Sequence, residues 1–208
     1  MTITHIMLDL ETWGKRPGCD LRSIGAVVFD PIAGIVRSYE PNGQTFYCAT
    51  DNPIIYAKPW TPPQGGSEIK PWYYIYKLNR DPETIQWWND QSSEAQSAFE
   101  NPIDLREACA MFSRWYSAMN SGQPYENIRI WANDPHFDIS ILEAVYHAVN
   151  LPVPWHYRAP RSVRTVVELA TMTRDDYCNY GDAHNALHDA VAQAMTVCKA
   201  YGKLGLSS

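Results

Sequence analysis

No stretch of the 208-residue chain approaches the ~20 consecutive apolar residues that a membrane-spanning helix requires, so a helical membrane protein is excluded. Met1 to Leu10 lacks the basic start and small-residue cleavage pattern of a secretory leader and does not read as a signal peptide. The five cysteines (Cys19, Cys48, Cys109, Cys178 and Cys198) are scattered, odd in number and without CxxC or zinc-type spacing. They read as free thiols of a reducing, cytoplasmic compartment, not as a disulfide framework. A basic excess is missing too. Seventeen Lys and Arg stand against 23 Asp and Glu, a net charge of −6. That excludes a protein that coats nucleic acid through bulk charge, but not one that grips a short stretch through a local basic patch. There is no internal repeat. What remains is an ordinary globular composition, 45% hydrophobic and 19% charged, long enough for one domain with a sizeable core. Eight Trp and thirteen Tyr make aromatic contact surface a theme.

Apolar patterning predicts strands over Ile3–Leu10, Ser23–Phe29 and Gly34–Tyr39, opening the domain as an antiparallel meander. From about residue 51 to 80 the chain is rich in Pro and Gly and reads as an insertion within a single domain spanning 1–208. Asp81 followed by Pro82 is a helix start that runs through Trp87 and Trp88. Leu105, Ala108, Cys109, Phe112, Tyr116 and Met119 keep helical spacing. Ile128–Ala132 is a short strand, and Asp134-Pro135 opens a helix with the stripe Asp138, Ile141, Leu142, Val145 and Val149. A further strand is placed near Trp155–Tyr157 and a helix over Ser162–Ala170, with Thr165 and Glu168 as a capping-box pair. The last helix carries Leu187, Val191, Ala194, Met195, Cys198 and Tyr201 on one face. The pattern suits an α/β domain with a mixed, five-stranded sheet flanked by helices.

Three clusters carry chemistry. Asp9 and Glu11 end an apolar strand, and residues two apart point to one face. Two carboxylates so placed repel each other and are costly to bury, and a divalent cation removes both problems. Taken alone, an Asp-x-Glu pair at a strand end more often faces solvent. Asp138 heads an otherwise apolar helical stripe and needs a partner there, either a basic side chain or a metal shared with Asp9 and Glu11. His184 and Asp189 form the third cluster. Periodicity does not support Asp189, and His188 competes with His184.

In this order the segments Asp9-Leu10-Glu11-Thr12, Asn133-x-x-x-Phe137-Asp138 and His184 to Ala190 resemble the three motifs of the DEDDh class of 3′–5′ exonucleases, on the ribonuclease H-like fold. The stretch Gln86-Trp87-Trp88 and the insertion before it resemble the branch of the mycobacterial 3′–5′ exoribonuclease and phage exonuclease VIII-like proteins. The resemblance implies that Asp9, Glu11, Asp138 and Asp189 bind two Mg²⁺ ions, with Mn²⁺ as substitute, and that His184 is the general base. It implies release of nucleoside 5′-monophosphates from single-stranded RNA or DNA 3′ ends. Thr12, Phe137 and Trp88 are the candidate substrate contacts. Trp60, Trp72, Tyr73, Tyr74 and Tyr76 alternate with Lys58, Lys70 and Lys77. They either stack on bases or pin the Pro-rich loop to the domain. Exposed aromatics leave room for a homodimer. The competing readings are a non-catalytic binding module on the same scaffold and another two-metal phosphodiesterase.

Overall fold

The computed structural model describes residues 3–37, 43–52, 54–56, 72–74, 76–119 and 127–206, with the backbone alone for 54–56 and 72–74. The first half of the chain forms β1 (Thr4–Thr12), β2 (Leu21–Asp30), β3 (Ile35–Val36), β4 (Thr45–Asp51), β5 (Ile54–Tyr56) and β6 (Trp72–Tyr74). Then follow α1 (Pro82–Asn89), α2 (Ser93–Ser97), β7 (Ile103–Asp104), α3 (Leu105–Met119) and β8 (Ile128–Ala132). The chain closes with α4 (Asp138–Ala148), β9 (Pro160–Ser162), α5 (Val163–Leu169) and α6 (Ala186–Lys203).

One mixed sheet organises the domain, in the order β7-β4-β2-β1-β8-β9, with β3 also paired to β2. β2 runs antiparallel to β1, β3 and β4, whereas β8 is parallel to both β1 and β9. The alternation of β1 divides two cores. Ile6, Leu8 and Leu10 join Phe112 of α3 and Leu142 of α4, while Met7 joins Val163 of α5 and Ala194 of α6. Helices therefore cover both faces, and the odd-numbered face of β1, which carries Asp9 and Glu11, lies under α6. Among the described residues no helix is long and apolar enough to cross a membrane, and all five cysteines are free.

Several elements differ from expectation. The sheet has seven strands, not five. β4, β7 and β9 were not among those expected, and β7 and β9 span only two or three residues and show no usable periodicity. β3 returns against β2 as expected, and β4, not expected, pairs with the same strand β2. Residues 38 and 39 of the expected third strand lie outside the described residues. Within the Pro-rich segment β5 and β6 pair antiparallel. No strand forms at Trp155–Tyr157. Trp155 is instead a buried core residue whose indole donates to Glu143 Oε1 at 2.9 Å, and the strand follows at Pro160. The cap of α5 is Ser162, whose hydroxyl accepts from Thr165 N, in place of a Thr165/Glu168 box. Asp81 caps α1 as expected, accepting from Glu83 N.

Candidate active site

Asp9 and Glu11 sit at the carboxyl end of the central strand β1, where a parallel neighbour, β8, delivers the next functional segment. Ligand crevices of open α/β sheets form at this end of the strands. Asp134 closes a turn after β8, its Oδ1 accepting from His136 N at 3.0 Å and its Oδ2 pairing with Arg164 at 2.9 Å. The helix α4 then begins at Asp138 itself, later than the Asp134-Pro135 start expected. Asp138 is buried at the head of that helix.

The third segment comes from α6. Asn185 caps this helix, its side chain accepting from the amides of Leu187 and His188. Asp189 therefore lies in the first turn, where the helix dipole favours a negative charge. Packing of α6 runs along Ala186, Ala190, Ala194, Val197 and Ala200, with Val191 beside it. Leu187, Met195, Cys198 and Tyr201 from the expected stripe are only partly buried. Small residues bring the helix close to the sheet, and Gly25 makes the closest approach possible. It pairs with Asp9 across β1 and β2, and a Cβ there would stand 2.1 Å from the Ala186 carbonyl carbon.

The ligand atoms of Glu11, His184 and Asp189 lie within 4.8 Å of one another. These three residues share a cleft of about 340 Å³ with Asp9, Asn133, Phe137, Asp138 and Arg164. His184 holds a left-handed backbone with φ of 63°, unusual for a residue with a Cβ, and its amide donates to Asp189 Oδ2 at 3.1 Å. His188 faces elsewhere. Its Nδ1 accepts from Asp182 N at 2.9 Å and its ring meets Tyr180.

Electrostatics at the cleft are unfavourable without a counter-charge. Burial, then the Asp189 carboxylate, pushes Glu11 up to about 8. Burial pushes Asp138 to about 7, against the pull of backbone hydrogen bonds. Asp9 stands well above the ordinary carboxylate range, through burial and then the charges of Asp138, Glu11 and Asp189. Asp189 is raised by burial, with His184 opposing. Four acids that resist ionising together are a donor set suited to hard divalent cations, which remove that repulsion and prefer oxygen ligands.

The expected substrate contacts divide. Phe137 lines the cleft. Thr12 is buried, and its hydroxyl donates to Gly14 O at 2.6 Å. Trp88 is a correction. It is 2% exposed and its indole donates to Thr12 O at 2.9 Å, so neither ring face is open to a base. Adjacent Trp87 is 43% exposed and its ring centroid lies 4.9 Å from that of His184. Trp60, Lys58 and Lys70 lie outside the described residues, as do the side chains of Trp72, Tyr73 and Tyr74. Tyr76 donates to the Asp104 carboxylate and packs against the core, the anchoring alternative for that residue.

Two neighbours were missed from sequence. Gln193 donates to Asp9 Oδ1 at 2.7 Å. It sits one turn after Asp189, and i, i+4 spacing was the available signal. Arg22 lies 4.4, 4.2 and 3.7 Å from the rings of Trp13, Trp88 and Phe99, and its charge draws Glu11 downward. Only the cross-strand register brings it there.

Comparison with solved structures finds the same fold in several nucleases. Cell-death related nuclease 4 superposes with a TM-score of 0.57 at 12% identity, over 98% of this chain and 65% of its own. E. coli exonuclease I, in complex with a 5cy-dT13 oligonucleotide, gives 0.56 at 14% identity, over 94% of this chain and 40% of its own. The nuclease domain of 3′hExo, a DEDDh family member bound to rAMP, gives 0.52 at 13% identity over 95% and 91%. The chain thus spans less than two thirds of the first two of these proteins. A comparison with curated proteins gives no match. The family model of the 3′–5′ exoribonuclease Rv2179c-like domain matches residues 4–201, and the chain belongs to that family.

Proposed function

We propose that this protein is a metal-dependent 3′–5′ exonuclease that releases nucleoside 5′-monophosphates from the 3′ ends of single-stranded nucleic acid, RNA in the first place. The observation that carries the reading is the convergence of Asp9, Glu11, Asp138, His184 and Asp189, from three distant segments, on one cleft at the strand ends. Membership of an exoribonuclease family supports the activity and the choice of RNA.

Asp9, Glu11, Asp138 and Asp189 are the residues that would hold two Mg²⁺ ions, or Mn²⁺ in their place. When bound, such ions acidify a water and neutralise charge on the phosphate. The protein's own part is positional. His184 takes the proton of the attacking water as general base. Its amide, bonded to Asp189, ties the base to the carboxylate set. Gln193 holds Asp9 in one orientation. The exposed face of Trp87 and the edge of Phe137 flank the terminal base, with Trp87 taking the role expected of Trp88. Thr12 supports this wall from behind, through its carbonyl to Trp88 and its hydroxyl to Gly14.

Matched single-stranded RNA and DNA oligonucleotides, labelled at either end, test the reading with Mg²⁺, with Mn²⁺ and with EDTA. A stepwise ladder from the 5′-labelled strand, lost with EDTA, is the expected result. Internal cuts would make the protein an endonuclease. No cleavage under any metal would leave the non-catalytic binding module.

A further inference from the structure

A second cleft, of about 530 Å³, is lined by Asn127, Arg129, His156, Tyr157, Arg158 and Arg161. In a chain of net charge −6, three of eleven arginines face one hollow that, among the described residues, no carboxylate lines. Arg161 is fastened there by its Nη1, which donates to the carbonyls of Arg158 and Pro160 at 2.8 and 2.7 Å. Arg158 donates through Nε to the Tyr157 hydroxyl at 2.9 Å, and that tyrosine is 74% exposed. The buried amide nitrogen of Asn127 has no hydrogen-bond acceptor. Guanidinium forks, an unsatisfied donor and an exposed tyrosine with Arg158 over its ring together are chemistry that recognises a phosphodiester strand. The positive field is already felt. Burial and then Arg129 lower the pKa of Arg161; His5 is lowered by burial above all, with both arginines adding to it against the pull of Asp30.

The position of the hollow supplies the second line of argument. Arg129 is level with His5 in the parallel β1–β8 ladder, four residues before Asp9. That separation is about 13 Å along the strand at ~3.3 Å per residue. Arg161 lies on β9, the outer strand on this side of the sheet, and three residues later Arg164 reaches the catalytic cleft. A stacked strand rising ~3.4 Å per nucleotide covers the same span in about four nucleotides. Among the described residues the catalytic cleft, by contrast, is lined by one arginine, Arg164, which is already paired with Asp134.

Resting on the exonuclease reading above, we propose that the Arg129/Arg158/Arg161 hollow binds the phosphodiester backbone of the single strand, about four nucleotides upstream of the 3′ end held in the carboxylate cleft. The test uses the double variant Arg158→Ala/Arg161→Ala, with the exposed single variant Arg158→Glu in case the double disturbs the 156–161 loop. Fluorescence anisotropy of a labelled single strand of about 12 nucleotides, on metal-free protein, reports binding without catalysis. About tenfold weaker binding is expected, together with a salt-dependence slope reduced by roughly 1.4 for two lost contacts. Turnover of a dinucleotide, too short to reach the hollow, stays within about twofold of wild type. Unchanged affinity for the long strand, or an equal loss on the dinucleotide, overturns the proposal. So does thermal stabilisation by inorganic phosphate with no change in strand affinity, which would make the hollow a free-anion site. If wild type cleaves nothing yet strand binding depends on the arginines, the nuclease reading falls and the strand site stands.

Discussion

Glu11→Gln gives the sharpest physical test of the carboxylate cluster, because it separates charge repulsion from shape. Glutamine keeps the size of the side chain and removes one of four mutually repelling charges. In the metal-free protein Glu11 is raised from 4.5 to about 8, chiefly by burial and Asp189. Because the folded value lies above the unfolded one, ionisation costs the folded state nothing below pH 4.5. The penalty grows through the interval and is complete above pH 8. At ~1.4 kcal/mol per unit the ceiling is about 5 kcal/mol at pH 8. Glutamine also forfeits the attraction of Arg22, and a net gain of about 2–3 kcal/mol is expected. For a chain of this size that is a rise in melting temperature of roughly 5–10 °C. The assay is thermal unfolding of both proteins in EDTA at pH 5 and pH 8, repeated with Mg²⁺. Glu11→Gln should melt well above wild type at pH 8 and close to it at pH 5. Mg²⁺ should raise wild type at pH 8 and leave the variant nearly unmoved. A variant no more stable than wild type at pH 8, or equally stabilised at both pH values, would refute the account of Glu11 as a strained, cation-seeking acid.

Three further outcomes follow from the same geometry. His184→Ala should slow hydrolysis about 10²–10⁴-fold in single-turnover assays, whereas His188→Ala, whose ring is held by the Asp182 amide, should cost less than about tenfold. The reverse ranking moves the base. Trp88→Ala should destabilise the fold by about 3–5 kcal/mol in denaturant titrations. Trp87→Ala should change stability by less than about 0.5 kcal/mol. The same change should weaken strand binding by about 1–3 kcal/mol. Gln193→Ala, which frees the Asp9 carboxylate, should lower Mn²⁺ affinity about 10–100-fold by calorimetry while the melting temperature moves little.

Most long periodic elements were legible in the sequence, though seven-residue β4 was not. β1, α1 and α3 show a period or a cap chemistry that acts within a few residues, so local reading finds them. β7 and β9 are strands only because a neighbour offers hydrogen bonds. Trp155 looked like part of a strand because apolar aromatics favour strands. It is buried by α3 and α4 instead, with its indole paired to Glu143. Trp87 and Trp88 show the limit most plainly. Adjacent positions on a helix must point apart, but which one faces the core depends on where Thr12 places its carbonyl.

The sequence by itself determined part of the chemistry-bearing set. Asp9 and Glu11 share a strand face because strands alternate, and Asp138 stands out because a carboxylate heads an apolar stripe. His184 and Asp189 rested on resemblance, since helical spacing gave Asp189 no reason to face the sheet. Tertiary structure decided the rest. Gly25 and the alanines of α6 allow a helix end to close on the strand, which sets Asp189 beside Glu11 and Gln193 against Asp9. The same packing gathers arginines from β8, β9 and the loop before β9 into one hollow on a net acidic protein. Local pattern encodes direction along and around an element. Distance between elements is set by how closely their side chains let them pack, and the assembled cleft depends on that distance.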